Sequence, residues 1–284
     1  MKKITLHMGL WKTGTTFLQK KIFKGDEYAG MHISPRELEL SFHQAFMNAS
    51  PMWWKTEKGV ELVESLFLEK SLYSAENLYR AKIFKQNMDR GVSGVEPFSF
   101  SHHIKVISDL LGNYDMELQV VFFFRRQPEW MASMYSEMSK VLKNPCQKDF
   151  ENRMDLMIDR PWMYGDHVLK YDILYESLSD ALGERRVMAL PYEKLMSNEN
   201  VLLFRQFTGI ETFGSEPENS ARVNKKSTGS DSWSLWDNES EKHVPGKLTL
   251  TEALRRKIFD HYLVSNISFQ EVVACDLKEL GYIQ

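Results

Sequence analysis

The stretch Met8–Gln19, MGLWKTGTTFLQ, directly follows the apolar alternation Ile4-Thr5-Leu6-His7 and constrains the fold more than any other part of the chain. A short strand that runs into a glycine-bounded loop and then into a helix presents bare backbone N–H groups to an anion. Gly9 and Gly14 keep the spacing of the triphosphate-binding pattern G-x-x-x-x-G-K-[ST], in which the lysine reaches the outer phosphates and the following hydroxyl holds Mg²⁺. Here Thr15 fills the lysine position, and the lysine stands at Lys12, inside the loop. The pattern predicts an anion cradle with a displaced cation. The bland alternative is a glycine turn with a solvated lysine.

The run Lys12-Thr13-Gly14-Thr15-Thr16 resembles the 5′-phosphosulfate loop, K-[ST]-G-T-[TS], of sulfotransferases that use 3′-phosphoadenosine 5′-phosphosulfate (PAPS). The resemblance, of a bacterial, carbohydrate-type member, implies an α/β, P-loop-like, three-layer fold: a central parallel sheet of about four or five strands flanked by helices. It also implies PAPS as co-substrate and no metal.

At 284 residues the chain lies near the upper limit for a single core, so one domain over 1–284 is expected. A net charge of −3 argues against a nucleic-acid polymer as partner, since that footprint needs a basic excess. No apolar run reaches the roughly eighteen residues of a membrane span, and the first residues read as a strand and not as a signal peptide. Cys146 and Cys275 lack metal-like spacing and suit a reducing compartment. A cytoplasmic enzyme is the expectation, with its oligomeric state open.

In chain order, Thr15–Phe23 reads as a helix ended by Gly25, Tyr28–Ile33 as a brief extended piece, and Ser34-Pro35-Arg36-Glu37 as a helix start. Trp53 and Trp54 follow in an expected loop, either plugging the core or offering flat faces to a sugar ring. Glu57–Leu68 has helical spacing, Ser71–Ser74 reads as a strand leading to Glu76, and Pro97–Leu111 as a helix. Leu118–Phe124 is an almost unbroken apolar run, as a strand buried on both faces should be. It leads into Arg125-Arg126-Gln127-Pro128 and a helix over Glu129–Val141. Tyr164–Leu182 is amphipathic, Val187–Leu190 reads as a further strand, and Leu250–Tyr262 and Phe269–Leu280 as closing helices. Residues 34–68 are expected as an acceptor-side insertion. The polar stretch 214–247 is expected as a lid loop.

Arg125 ends a central strand, and Ser133 lies eight residues on, about two helical turns into the next helix. This spacing resembles the second sulfotransferase signature, which implies that the guanidinium and the hydroxyl grip the 3′-phosphate of PAPS. Pro191-Tyr192-Glu193-Lys194-Leu195 resembles the segment whose tyrosine lies near the adenine, implicating Tyr192. Arg222–Ser227 sits where the family carries a basic loop, but its pattern departs from the family form and individual residues are not assigned. The same resemblance implies that Glu76 stands where cytosolic members have a catalytic histidine and several carbohydrate sulfotransferases a glutamate, and a carboxylate desolvated in a crevice can titrate high enough to act as a general base. His43, His102 and His103 are the reserve candidates.

Together these residues predict transfer of a sulfuryl group to a hydroxyl of a carbohydrate or glycoconjugate, with Lys12 and Glu76 catalytic. Lys12, Thr13, Gly14, Thr15, Thr16, Arg125, Ser133 and Tyr192 would hold the nucleotide. The alternative is a nucleotide-dependent kinase or a regulatory nucleotide-binding protein. No residue names the acceptor.

Overall fold

The computed structural model describes residues 1–23, 25–30, 36–76, 78–79, 97–161, 166–211 and 231–283. Five strands, β1 (Lys2–Gly9), β2 (Tyr28–Gly30), β3 (Leu72–Glu76), β4 (Met116–Phe124) and β5 (Val187–Pro191), form one sheet in the order β2-β3-β1-β4-β5. Every pairing is parallel. The expected α/β sheet flanked by helices is therefore present, and the extended piece at Tyr28 is its edge strand.

The near-continuous apolar character of β4 follows from its central place, since helices cover both faces of a parallel sheet. Alternation sends Val120, Phe122 and Phe124 into one core with Leu6 and Met8, and Val121 and Phe123 into a second core with Leu18, Phe23 and Phe204. Burying each such side chain stabilises the fold by about 1.5–3 kcal/mol. The chain leaves β1 toward β3 and β2 on one side, then crosses to β4 and β5 on the other. The carboxyl end of β1 is thus the switch point, where an open α/β sheet has its crevice.

The longer helices, in chain order, begin with α2 (Arg36–Asn48), α3 (Glu57–Phe67), α4 (Pro97–Gly112) and α5 (Gln127–Met138). After them come α6 (Gln147–Asp159), α7 (Tyr171–Leu182), α8 (Asn198–Thr208) and α9 (Glu252–Gln270). Helices α6 and α8 add to those expected from sequence. Helix α6 buries Phe150, Met154 and Met157 along one stripe, and α8 starts at Ser197, whose side chain accepts from the Asn200 amide. The two expected closing helices are instead one, α9, followed by turns from Glu271.

In the stretch expected as an insertion, the short 3₁₀ turn Pro51–Lys55 and its flanking helices drive Phe42, Phe46, Trp54 and Phe67 into the main core. Trp54 is fully buried and donates from Nε1 to His103 Nδ1 at 2.7 Å. It plugs the core, while Trp53 packs edge-on against it. Of the stretch expected as a lid, 231–247 belongs to an antiparallel pair, β6 (Ser232–Asp237) and β7 (Lys242–Thr249). Trp233, Leu235 and Leu248 supply its buried side, and Ser136 Oγ donates to the Ser234 carbonyl at 2.6 Å. Arg222–Ser227 lies outside the described residues. Among the described residues no helix is long and apolar enough to cross a membrane.

His7 sits fully buried on β1, edge-on to Phe23 and Phe123, with Nδ1 2.8 Å from Ser74 Oγ. Burial holds its pKa down to about 3, against an ordinary value of 6.5. The unfolded ring therefore takes up a proton well before the folded one, and stability is lost as pH falls from about 6.5 toward 3. Between pH 7 and pH 4 this ring should remove roughly 3 kcal/mol. Urea unfolding of His7→Leu across that window should show a flatter pH dependence than the wild type, and identical slopes would contradict this account.

Candidate functional site

The loop after β1 is built from two left-handed residues, Lys12 at φ 60° and Gly14 at φ 87°. A left-handed conformation costs a lysine about 1–2 kcal/mol, so the surrounding contacts must hold it. Thr13 Oγ1 donates to the Leu10 carbonyl at 2.7 Å, closing the loop on itself. Arg125 Nη1 donates to the Lys12 carbonyl at 2.9 Å. Trp130 Nε1 donates to the carbonyl of Trp11. Helix α5 and the end of β4 thus clamp the strained stretch.

Beyond Gly14 the chain makes a single α-turn, α1 (Thr15–Phe17), then a wide π turn over Leu18–Ile22, closed by Phe23 N–H donating to the Leu18 carbonyl at 2.8 Å. The first-turn amides have no partners within their own helix. With left-handed residues just before them they form a concave row of donors, the arrangement that receives an anion. Thr15 Oγ1 is buried without a hydrogen-bond partner among the described residues. A Cβ on Gly9 would stand 2.5 Å from that oxygen, so glycine is what lets the threonine turn close over the strand end. An orphaned hydroxyl in the first turn of a helix that follows two left-handed residues fits a phosphate oxygen.

Arg125 follows the last residue of β4. Its guanidinium stacks over the Tyr192 ring at 4.8 Å, a cation–π contact that orients the planar fork. Tyr192 in turn opens the short turn after β5, and a Cβ on Gly14 would meet its ring at 3.2 Å. The backbone of Arg125 is pinned on both sides by Tyr171, whose hydroxyl donates to the Arg125 carbonyl at 2.7 Å and accepts from its N–H at 3.3 Å. The backbone of Lys12, Gly14, the guanidinium of Arg125 and the ring of Tyr192 are therefore joined by contacts at one end of the sheet.

Glu76 closes β3 in register with Gly9 of β1. Its proton affinity is raised above the ordinary carboxylate range: burial pushes it up most, Lys12 pulls it down, Glu137 pushes it up and Lys20 pulls it down. A carboxyl that stays protonated longer than usual beside an ammonium is suited to proton transfer. Lys12 Nζ lies 3.5 Å from Glu137 Oε2 on α5.

Ser133 lies buried on α5, between Trp130 and Glu137, whose side chains both touch the loop. No hydrogen bond joins its hydroxyl to Arg125 among the described residues. Of the reserve histidines, His103 is buried, accepts from Trp54 and has its pKa lowered to about 4, by burial and then by the charge of His102. It has a structural partner. His43 and His102 lie on α2 and α4.

Sequence reasoning did not reach Glu137, Tyr171 or Gln19. Glu137 stood in reach of it, one helical turn beyond Ser133 on the same face. Tyr171 is joined to Arg125 only through the tertiary fold.

No protein-family model matches the chain, and no curated protein does. Among solved structures, a sulfotransferase from Alicyclobacillus acidocaldarius superposes with a TM-score of 0.55 at 11% identity, covering 98% of each chain. A mouse sulfotransferase, SULT7A1, solved in complex with PAP, gives a TM-score of 0.44 at 12% identity over 98% of this chain and 88% of its own. The first likeness shows that this chain has the sulfotransferase fold over nearly its whole length.

Gly14 carries two constraints, a positive φ and close contact with Tyr192 and Leu195. Gly14→Ala should lower stability by about 1–2 kcal/mol. Adding Leu195→Ala should recover only the steric part. Denaturant titration reads both, and an unchanged midpoint in Gly14→Ala would contradict the loop geometry.

Proposed function

We propose that the protein transfers a sulfuryl group from PAPS to a hydroxyl of a carbohydrate or glycoconjugate. The observation that carries this reading is the hydrogen bond from Arg125 to the carbonyl of Lys12. It joins the guanidinium at the end of β4 to the backbone of the loop that carries Lys12, and the charge of Lys12 in turn acts on the carboxyl of Glu76.

In this reading the amides of Thr13–Thr16 and the Thr15 hydroxyl hold the 5′-phosphate. The fork of Arg125 holds the 3′-phosphate with Ser133, and Tyr192 lies along the adenine. The acceptor hydroxyl attacks sulfur in line, and Glu76 takes its proton. The bond from sulfur to the bridging phosphate oxygen breaks, and Lys12 stabilises the charge left on that oxygen. As in phosphoryl transfer, positioning and fixed charge carry most of the acceleration. Sulfate bears less charge than a terminal phosphate, and a loop lysine can serve the departing oxygen without the lysine–hydroxyl pair of the triphosphate motif.

Thermal shift separates this reading from a kinase-like one. Stabilisation by 3′,5′-adenosine bisphosphate in the absence of metal supports it, while stabilisation by ATP only with Mg²⁺ overturns it. Lys12→Ala should raise the barrier by about 3 kcal/mol, the scale of one lost transition-state donor. Glu76→Gln should lower kcat by roughly 10²–10⁴-fold with nucleotide affinity intact. Because the base must be deprotonated, wild-type turnover should climb with pH through a midpoint above the ordinary carboxylate range, and that limb should vanish in Glu76→Gln. Full activity in either variant would remove that residue from the mechanism.

A further inference from the structure

The π turn after the phosphate loop carries a buried amide that the chemistry above leaves unused. Gln19 is almost fully enclosed, and its Nε2 donates to both the carbonyl of Ser74, at 3.1 Å, and Ser74 Oγ, at 3.0 Å. Ser74 Oγ in turn lies 2.8 Å from Nδ1 of His7, its partner in the β1–β3 register. Because Gln19 donates to the hydroxyl, that hydroxyl is free to donate onward to the neutral imidazole, a directional chain of three buried groups. It runs from the turn behind the loop through Ser74 of β3 to His7 of β1.

Two residues beyond Ser74, on the same face of the strand, stands Glu76. The residue next to Gln19, Lys20, lies close enough for its charge to act on Glu76. The widened turn is what brings this about, since one extra residue rotates the side chains that follow it, and such bulges recur at functional sites. A buried amide anchored twice to one residue is an unusual expense in a segment whose other buried side chains are Leu18, Ile22 and Phe23.

We infer that Gln19 is a positioning residue, which fixes the spacing between the phosphate loop that carries Lys12 and the strand end that carries Glu76. The inference rests on the proposed role of Glu76 and deepens it. Loop and strand belong to different elements, and the direct β1–β3 pairing sets only their backbones. The Gln19–Ser74 link ties the helix behind the loop to the same strand, so cation and carboxyl move as one unit.

The test is a double-mutant cycle on the full chain, read as kcat and KM with PAPS and a sugar acceptor, together with the thermal shift given by 3′,5′-adenosine bisphosphate. Gln19→Leu should lower kcat on the order of 10- to 100-fold, the scale of a displacement near 1 Å, with KM for the donor and the nucleotide shift unchanged. In the Glu76→Gln background Gln19→Leu should cause no further loss, because the group it positions is already gone. Ser74→Ala, which removes one of the two acceptors, should give a smaller fall of the same kind and serves if Gln19→Leu does not fold. Equal losses in both backgrounds, a wild-type kcat in Gln19→Leu and Ser74→Ala, or nucleotide binding lost along with kcat would each overturn the inference. Full activity in Glu76→Gln alone would instead overturn the role of Glu76, and is read before the cycle is closed.

Discussion

The site depends on one hydrogen bond across the end of the sheet, from the guanidinium of Arg125 to the carbonyl of Lys12. Lys12 occupies a backbone conformation that disfavours any side chain, and its carbonyl is directed at the strand beside β1. An arginine at the end of β4 meets it there because β1 and β4 are hydrogen-bonded neighbours in parallel register. Sheet order thus becomes chemistry. Had β4 lain at the sheet edge, the same two residues would face different crevices.

The electrostatics of the crevice follow from local grouping and not from the chain as a whole. With a net charge of −3 the protein has no general attraction for polyanions, so any anion must be bound by fixed, oriented donors. Lys12 stands between the influence of Glu76 and that of Glu137. Its charge is therefore partly compensated before any ligand arrives, and the burial that raises Glu76 is in part offset by the same ammonium. Behind this layer the brace from Tyr171 holds Arg125 by its backbone, leaving the guanidinium free to stack on Tyr192. Arrangements held by a second layer of contacts are the ones that stay within the narrow tolerance that catalysis needs.

Much of this was legible in the residues. The alternation before Met8, the glycine spacing and the apolar run of β4 are local signals, and each appears where expected. Glu76 closes a strand and Thr15, Arg125 and Tyr192 follow strand ends, so a parallel sheet was enough to bring them to one edge. What escaped reading was set by tertiary context. The π turn has the composition of an ordinary amphipathic helix, and only the reach of Gln19 to Ser74 shows why it widens. The Trp233-Ser234-Leu235-Trp236 alternation lies in a polar neighbourhood that hid a strand pair packed against α5. Helix α9 runs straight through the Ser265-Asn266 interruption because Asn266 is satisfied by Gln127 and by the carbonyl of Tyr282.

A crystal structure with 3′,5′-adenosine bisphosphate tests the central claim most directly. Density for one nucleotide, with its 5′-phosphate on the Thr13–Thr16 amides and its 3′-phosphate on the fork of Arg125, is the predicted result. A nucleotide seated elsewhere, or one that leaves either phosphate in solvent while the Arg125–Lys12 bond persists, would contradict the account.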